Sequence, residues 1–473
     1  MIFLSRMFFT SCGLCMILTC SLCPTQTDAK TIFVDHRLGR DCTSGNYNVA
    51  NRDGSGSDGV AYRTIQTALS NAAAADSIYI RAGIYREALE IMQNGEANKY
   101  FLLRNYPGEQ VTLDGNKNLP VADRGLIFLS GKSKIKIIGL AVANSKCYGI
   151  QAINCNDLIV QDCEVAYANH GGVVCEDGAQ ITIAGCRVHH NNALGLSAWH
   201  EAVTLSGVNT FEVTNCEINA NKEEGVDAKY GATNGFIHHN RIYDNNGPNI
   251  YIDAANHIEI YSNRVHGASR TKAGIMLGVE NHESRYDTHD IKIYNNLIYD
   301  NAGGIAFWLE LPARLYGKFY NVQIMHNFIH ANNKNNWGSI YIQNGGQSNY
   351  GNSLIIRNNI FWQNTATIGT QTIRDEAGVL SKFSVDHNLF KTGEPSETFG
   401  TAAVTVPEVK CVDLLNYDYH LRSDSPARDA GNSLGAPPKD YDGKIRPFGA
   451  GYDIGPYEFS NSDLMPLIPA ARD

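Results

Sequence analysis

The sequence predicts an all-β protein, a right-handed parallel β-helix (solenoid) with an N-terminal capping helix, on three observations. A short unit of alternating apolar residues, a turn, a Cys or Asn and a β-branched residue recurs ten times, at Gly139, Cys163, Cys186, Cys216, Asn240, Asn263, Asn296, Asn327, Asn359 and Asn388. The copies stand 23 or 24 residues apart where tightest and about 30 where a loop intervenes. A unit that short with period-two alternation cannot bury its own apolar face, so copies must stack, each strand pairing in parallel with its counterpart in the next coil. Third, 44 Gly, 24 Tyr and only 18% charged residues suit turns and strands better than helices. A leucine-rich horseshoe would need a Leu-dominated unit, which is absent.

The elements follow in order. Residues 1–29 read as a signal peptide: Arg6, an apolar run from Met7 to Leu22, then polar residues and a small Ala29. Cys20 and Cys23 follow Thr19 and Leu22 rather than the small residue a lipid anchor needs. The expected localisation is secreted or periplasmic, without membrane insertion after cleavage. Residues 30–125 form a cap and the first coils: Asp41–Gly59 a surface loop, Tyr62–Ala75 (YRTIQTALSNAAAA) an amphipathic helix over the open first coil, then the strand SIYIR. Residues 126–395 carry the repeats, in which Cys163, Cys186, Cys216 and the Asn residues from Asn240 to Asn388 should form one internal ladder at one turn. Residues 396–473, rich in Gly, Pro and Asp, have lost the repeat and should wrap the last coil.

A net charge of −9 offers no basic field for nucleic acid, and a monomer is expected. Of twelve cysteines, eight lie beyond the leader, with no CxxC pair among them. Several occupy ladder positions, so most read as small core residues rather than a disulfide framework or a zinc site.

A second strand of each coil begins about nine residues after the ladder position. Alignment places Val203, Val226, Ile250, Ile275 and Ile305 inward, with Leu205, Ala228, Ile252, Leu277 and Phe307 at the next inward position. Thr204, Asp227, Tyr251, Met276 and Ala306 then point outward, as do Ser206, Lys229, Asp253, Gly278 and Trp308. Asp227, Lys229, Tyr251 and Asp253 form a patch that Glu223 and His200 extend on one side and Glu280 and Trp308 on the other. This patch is expected to line a solvent-facing groove with Lys229, Asp227, Asp253, Glu223 and His200 as catalytic candidates. Tyr251, Glu280, Trp308 and the loop cation Arg270 are the substrate-binding candidates.

The opening YRTIQTALSNAAAADSIYIRAGIYRE with LLRNYPGEQVTLDG, and the ending SPARDAG with DYDGKIRPFGAGYDIGPYEF, resemble secreted pectate-lyase-like β-helix proteins, including family-nine polysaccharide lyases. The resemblance implies a polysaccharide substrate cleaved by β-elimination. In that setting Lys229 is the base, and Asp227 and Asp253 are ligands of a Ca²⁺ that acidifies the proton beside a uronate carboxylate. Such a base needs a depressed pKa, which adjacent carboxylates oppose. The carboxylates equally suit a glycoside hydrolase, and Tyr251 and Trp308 suit a non-catalytic carbohydrate-binding or adhesive solenoid. Asp287-Thr288-His289-Asp290 is similar to the DPHD signature of mannuronan C5-epimerases, with Thr288 in place of the proline.

Overall fold

A computed structural model describes residues 29–269, 271–280, 287–310, 317–332, 337–364 and 371–460. Three sheets run along the molecule, of 15, 13 and 11 strands among these residues, and their neighbours are parallel throughout the repeats. One coil shows the order: Asn209–Thr214 in the first sheet, Glu217–Asn219 in the second and Val226–Lys229 in the third, before Thr233–His238 returns to the first. Phe211, Val213, Ile218, Val226 and Ala228 of that coil are buried in a single core that extends from Ile32 to Phe390. Stacked coils supply the apolar partners that no single coil has.

The ladder is present. Asn240 N donates to Asn263 Oδ1 (3.0 Å), and the same contact continues through Asn296, Asn327, Asn359 and Asn388. Cys163, Cys186 and Cys216 begin it, Cys163 in hydrogen-bond contact with Cys186 and Cys216 N donating to Asn240 Oδ1 at 2.9 Å. Each ladder residue follows one in the left-handed region, among them Gly185, Asn215, His239, Ser262, Asn295 and Asn358. The turn thereby exposes peptide groups that only an inward side chain can satisfy.

A second ladder, not foreseen from the sequence, lies at the turn between the second and third sheets. Asn191, Asn221 and Asn245 are linked in turn, as are Asn301, Asn332 and Asn364. The signal was legible: these are the residues five places after Cys186, Cys216, Asn240, Asn296, Asn327 and Asn359. Where that position holds Ala268, Asn249 bridges the gap, accepting from Asn245 Nδ2 (2.8 Å) and donating to Asn301 Oδ1 (3.2 Å).

Three expectations change. The helix is Ile65–Asn71, shorter than Tyr62–Ala75, because Tyr62 is taken by the strand Gly59–Tyr62 and the Asp76 carboxylate accepts from Ala73 N to turn the chain. It buries Ile65, Ala68 and Leu69 in the common core. The loop Asp41–Gly59 contains the strand Cys42–Tyr47, antiparallel to Gly59–Tyr62, and buries Tyr47, whose hydroxyl donates to Asp35 (2.8 Å). The C-terminal segment packs along several coils of the second sheet: Tyr419, Ile454, Tyr457 and Phe459 join Leu297, Tyr299, Phe328 and Ile360. Arg446, buried against Glu458, donates to Asn295 Oδ1 at 3.1 Å. The eight cysteines beyond the leader are free and buried. No helix among the described residues is long and apolar enough to cross a membrane. Residues 1–28, and with them most of the leader, lie outside the described residues.

Candidate functional site

The third sheet has the register expected of it: Val203, Val226, Ile250, Ile275 and Ile305 align, and Ser206, Lys229, Asp253, Gly278 and Trp308 align beside them. Asp227, Lys229, Tyr251 and Asp253 therefore point away from the core and stand together, yet they do not line an open groove. Their exposures are 2%, 7%, 5% and 1%. Neighbouring side chains cover and pair them, so the desolvation cost that was expected to keep them in water is offset by ionic contacts and hydrogen bonds.

Lys229 Nζ lies 2.6 Å from Glu201 Oε1 and 3.2 Å from Asp227 Oδ2. Burial alone would lower the lysine's pKa, but these two carboxylates hold it well above the ordinary value. A base must be neutral when it acts, and the two carboxylates favour the charged form of Lys229, which opposes its expected role as proton acceptor. Burial likewise acts to raise Glu201, and Lys229 more than offsets it, keeping the carboxylate below its usual range. Thr204 Oγ1 donates to the other Glu201 oxygen at 2.9 Å.

Glu201 and Glu224 occupy equivalent places in successive coils, each two residues before an aligned valine, and Ala202 N donates to Glu224 O (3.1 Å). Their backbones are one rung, about 4.8 Å, apart. Burial, followed by the charge of Glu201, pushes Glu224 up to about 7. Burial and then Glu280 raise Asp253 to about 7 as well. Asp227 is raised mainly by burial, against the pull of Lys229. The cluster thus holds one ionised carboxylate at its half-buried rim beside a carboxyl that keeps its proton near neutrality, the pairing that acid–base chemistry needs.

Of the other candidates, Glu223 and His200 are half-buried at the same rim, with His200 Nε2 3.6 Å from Glu176. Tyr251 donates to Glu280 Oε1 (2.5 Å), and Glu280 N donates to Asp253 Oδ1 (3.1 Å), which ties both tightly into the floor. Trp308 is half-buried, 5.9 Å from Trp337, with Lys272 Nζ 5.7 Å from its ring centre. Arg270 lies outside the described residues. Asp287 to Asp290 enter the first sheet, on another side of the solenoid, where Thr288 is buried. Sequence reading gave no role to Glu201, Glu224 or Glu176 and placed Thr204 outward without one; the stacked glutamates two residues before Val203 and Val226 were the available signal.

For a cation, the donor set is all oxygen and crowded: Asp227 Oδ1 and Glu223 Oε1 are buried without a hydrogen-bond partner among the described residues. Such orphaned acceptors among carboxyls raised by burial and then by neighbouring carboxylates fit a hard divalent ion.

Residues 125–284 and 196–309 match the family described as right handed beta helix region, and residues 47–198 match the Pel9A-like right handed beta helix region. The chain is thus similar to pectate-lyase-like parallel β-helix proteins, and its coils are right-handed by that match. A more particular likeness is to pectate lyase PEL9 of Emericella nidulans, 30% identical over 112 residues, which cover 21% of this chain and 27% of that protein. The chain therefore spans little more than a quarter of the length of that relative. Among solved structures, XylC in complex with xylose superposes with a TM-score of 0.55 at 12% identity, covering 91% of this chain and 98% of that one. Pectate lyase Pel9A superposes at 0.50 and 13% identity, covering 91% and 97%. At those identities the likeness is one of fold.

Proposed function

We propose that this protein is an exported carbohydrate-active enzyme that hydrolyses a polysaccharide at the outer face of its third sheet, with Glu224 as general acid and Glu201 as the carboxylate partner. The observation that carries this reading is the opposed state of two equivalent glutamates in adjacent coils, one held ionised by Lys229 and the other titrating at about 7. A proton donor and a carboxylate flanking a glycosidic bond are what hydrolysis requires, and placement on adjacent rungs lets the two glutamates serve one bond. His200 and Glu223 border the same rim, and Trp308 offers a ring face for a sugar. The leader-like run Met7–Leu22 supports export, since a polymeric glycan is met outside the cell. The helix Ile65–Asn71, packed on the earliest strands, fits the role of an N-terminal cap.

A second reading, elimination from a uronate-containing glycan, is favoured by the orphaned oxygens of Asp227 and Glu223 and by the Pel9A-like match. Asp227, Glu223 and Asp253 would hold Ca²⁺, which neutralises a uronate carboxylate and acidifies the neighbouring proton. The proton acceptor would then be a carboxylate outside the ion's ligands that titrates near neutrality, such as Glu224, rather than Lys229. Electrostatics weigh against this reading without the ion, because an acidic rim repels a uronate.

The test is incubation with xylan, pectic and alginate polysaccharides, with and without chelator, following reducing ends and unsaturated-uronate absorbance together. Chelator-insensitive reducing ends without absorbance support hydrolysis, and chelator-sensitive absorbance supports elimination. Binding with neither signal would leave a carbohydrate-binding solenoid.

A further inference from the structure

We infer that the first sheet carries a separate site for a divalent transition metal, held by His257 Nε2, His289 Nδ1 and Asp290 Oδ2. It does not depend on the glycan-cleaving face, which belongs to the third sheet. His257, Asp290 and Asn321 share one column in three successive coils, each in the left-handed region (φ 53°, 55° and 51°), and His289 precedes Asp290 in the chain. The three ligand atoms all lie within 4.8 Å of one another. His289 Nδ1 is 2.5 Å and His257 Nε2 3.6 Å from Asp290 Oδ2. Bonds of about 2.0–2.1 Å to a common ion place ligand atoms roughly 3 Å apart, so the His289–Asp290 contact must open by less than about 1 Å and the wider separations, at most 4.8 Å, must close.

The surroundings select the donor atoms. His257 Nδ1 contacts Asn256 Oδ1 at 2.7 Å, an arrangement that puts the proton on Nδ1 and leaves the Nε2 lone pair facing a carboxylate. Two acceptors face each other there, a repulsion that a cation between them removes. Asn321 Nδ2 donates to Asp290 Oδ1, so Oδ2 is the oxygen turned to the two histidines, in hydrogen-bond contact with His289 Nδ1. The His289 ring is stacked on Tyr320, with centroids 4.5 Å apart and planes 7° from parallel. Outer contacts of this kind orient metal ligands.

Two imidazoles and one carboxylate favour Zn²⁺, Co²⁺ or Ni²⁺ over Ca²⁺, which takes oxygen ligands. Three protein ligands leave a coordination position open toward a groove of about 270 Å³ that Lys292, Gln323 and Phe236 also line.

The experiment is titration of the untagged, folded chain with Zn²⁺ alone and Co²⁺ alone, by calorimetry and by the d–d absorption of bound Co²⁺, with thermal melts in parallel. The expected result is one equivalent bound, a rise in Tm, and affinity weakened by at least about tenfold in His257→Ala and in His289→Ala, with Glu259→Gln binding as the parent does. The Co²⁺ spectrum should lack a thiolate charge-transfer band, since all eight described cysteines are buried away as free thiols. Failure to bind one equivalent, a thiolate band, or binding unchanged in both histidine variants would overturn the site; none of these outcomes bears on glycan cleavage.

Discussion

Lys229 Nζ stands 2.6 Å from Oε1 of Glu201, a residue of the preceding coil. This pair sets the charge state of the cluster: it keeps the lysine cationic and the glutamate ionised, and the Glu201 charge then helps hold the proton on Glu224. A lone lysine among carboxylates invites reading as a base, yet the same carboxylates make it the counter-ion.

If Glu224 and Glu201 perform the chemistry, Glu224→Gln and Glu201→Gln should each lower turnover by about 10²- to 10⁴-fold while the far-ultraviolet circular dichroism stays that of the parent. Initial rates of reducing-end release measure this, and near-parental rates in both variants would exclude the pair. Activity of the parent should decline as pH rises through about 7, where Glu224 loses its proton.

Stability should also fall over part of that range. Glu224 titrates at about 7 when folded against 4.5 as a free group, and Asp253 at about 7 against 3.8. Between the two values the native state keeps protons that the unfolded state has lost, so unfolding becomes easier as pH rises from about 4 to 7 and levels off above. At about 1.4 kcal/mol per unit, the Glu224 contribution is on the order of 1–3 kcal/mol. Denaturant unfolding of Glu224→Gln across pH 4–8 should be flatter than the parent by this amount; an equal slope would show that Glu224 titrates normally.

Lys229→Met should destabilise the fold by about 3 kcal/mol, because Glu201 and Asp227 lose their counter-ion inside the structure. In the same variant the acidic limb of the pH–rate profile should move to higher pH, since Glu201 is no longer held ionised. Loss of a general base would instead remove turnover at every pH, so the pH profile separates the two roles.

Asn296→Ala removes an amide that donates to Ile260 O and Asn327 Oδ1 and accepts from Asn263 N. Several buried polar groups lose their partner at about 1–3 kcal/mol each, so a loss of roughly 3 kcal/mol is expected. Asn301→Ala in the second ladder should cost a similar amount. Chemical denaturation checks both, and a cost under about 1 kcal/mol at Asn301 would mean that water replaces its amide there.

By itself the sequence determined the solenoid, the first ladder, the register of the third sheet and the cysteines as core residues. Each is a consequence of a local period: alternation of two fixes which side chains enter the core, and the repeat length fixes which residues stack. That is why Val226 and Ala228 are buried beneath an outward Asp227 and Lys229, as the alternation requires. Tertiary structure alone decided whether those outward side chains met water. Their cover and charge partners come from positions outside the period, Glu201 from the coil before and Glu280 from the end of the strand after, so alternation could point Lys229 outward but not say what stood over it. The gap at Ala268 shows the same division: the repeat sets where an amide is needed, and only the packed coils bring Asn249, from outside the ladder position, within 3.2 Å of Asn301 to supply it. Local periodicity specifies direction; burial and protonation depend on what neighbouring coils place within a few ångströms, where electrostatic interactions are strongest.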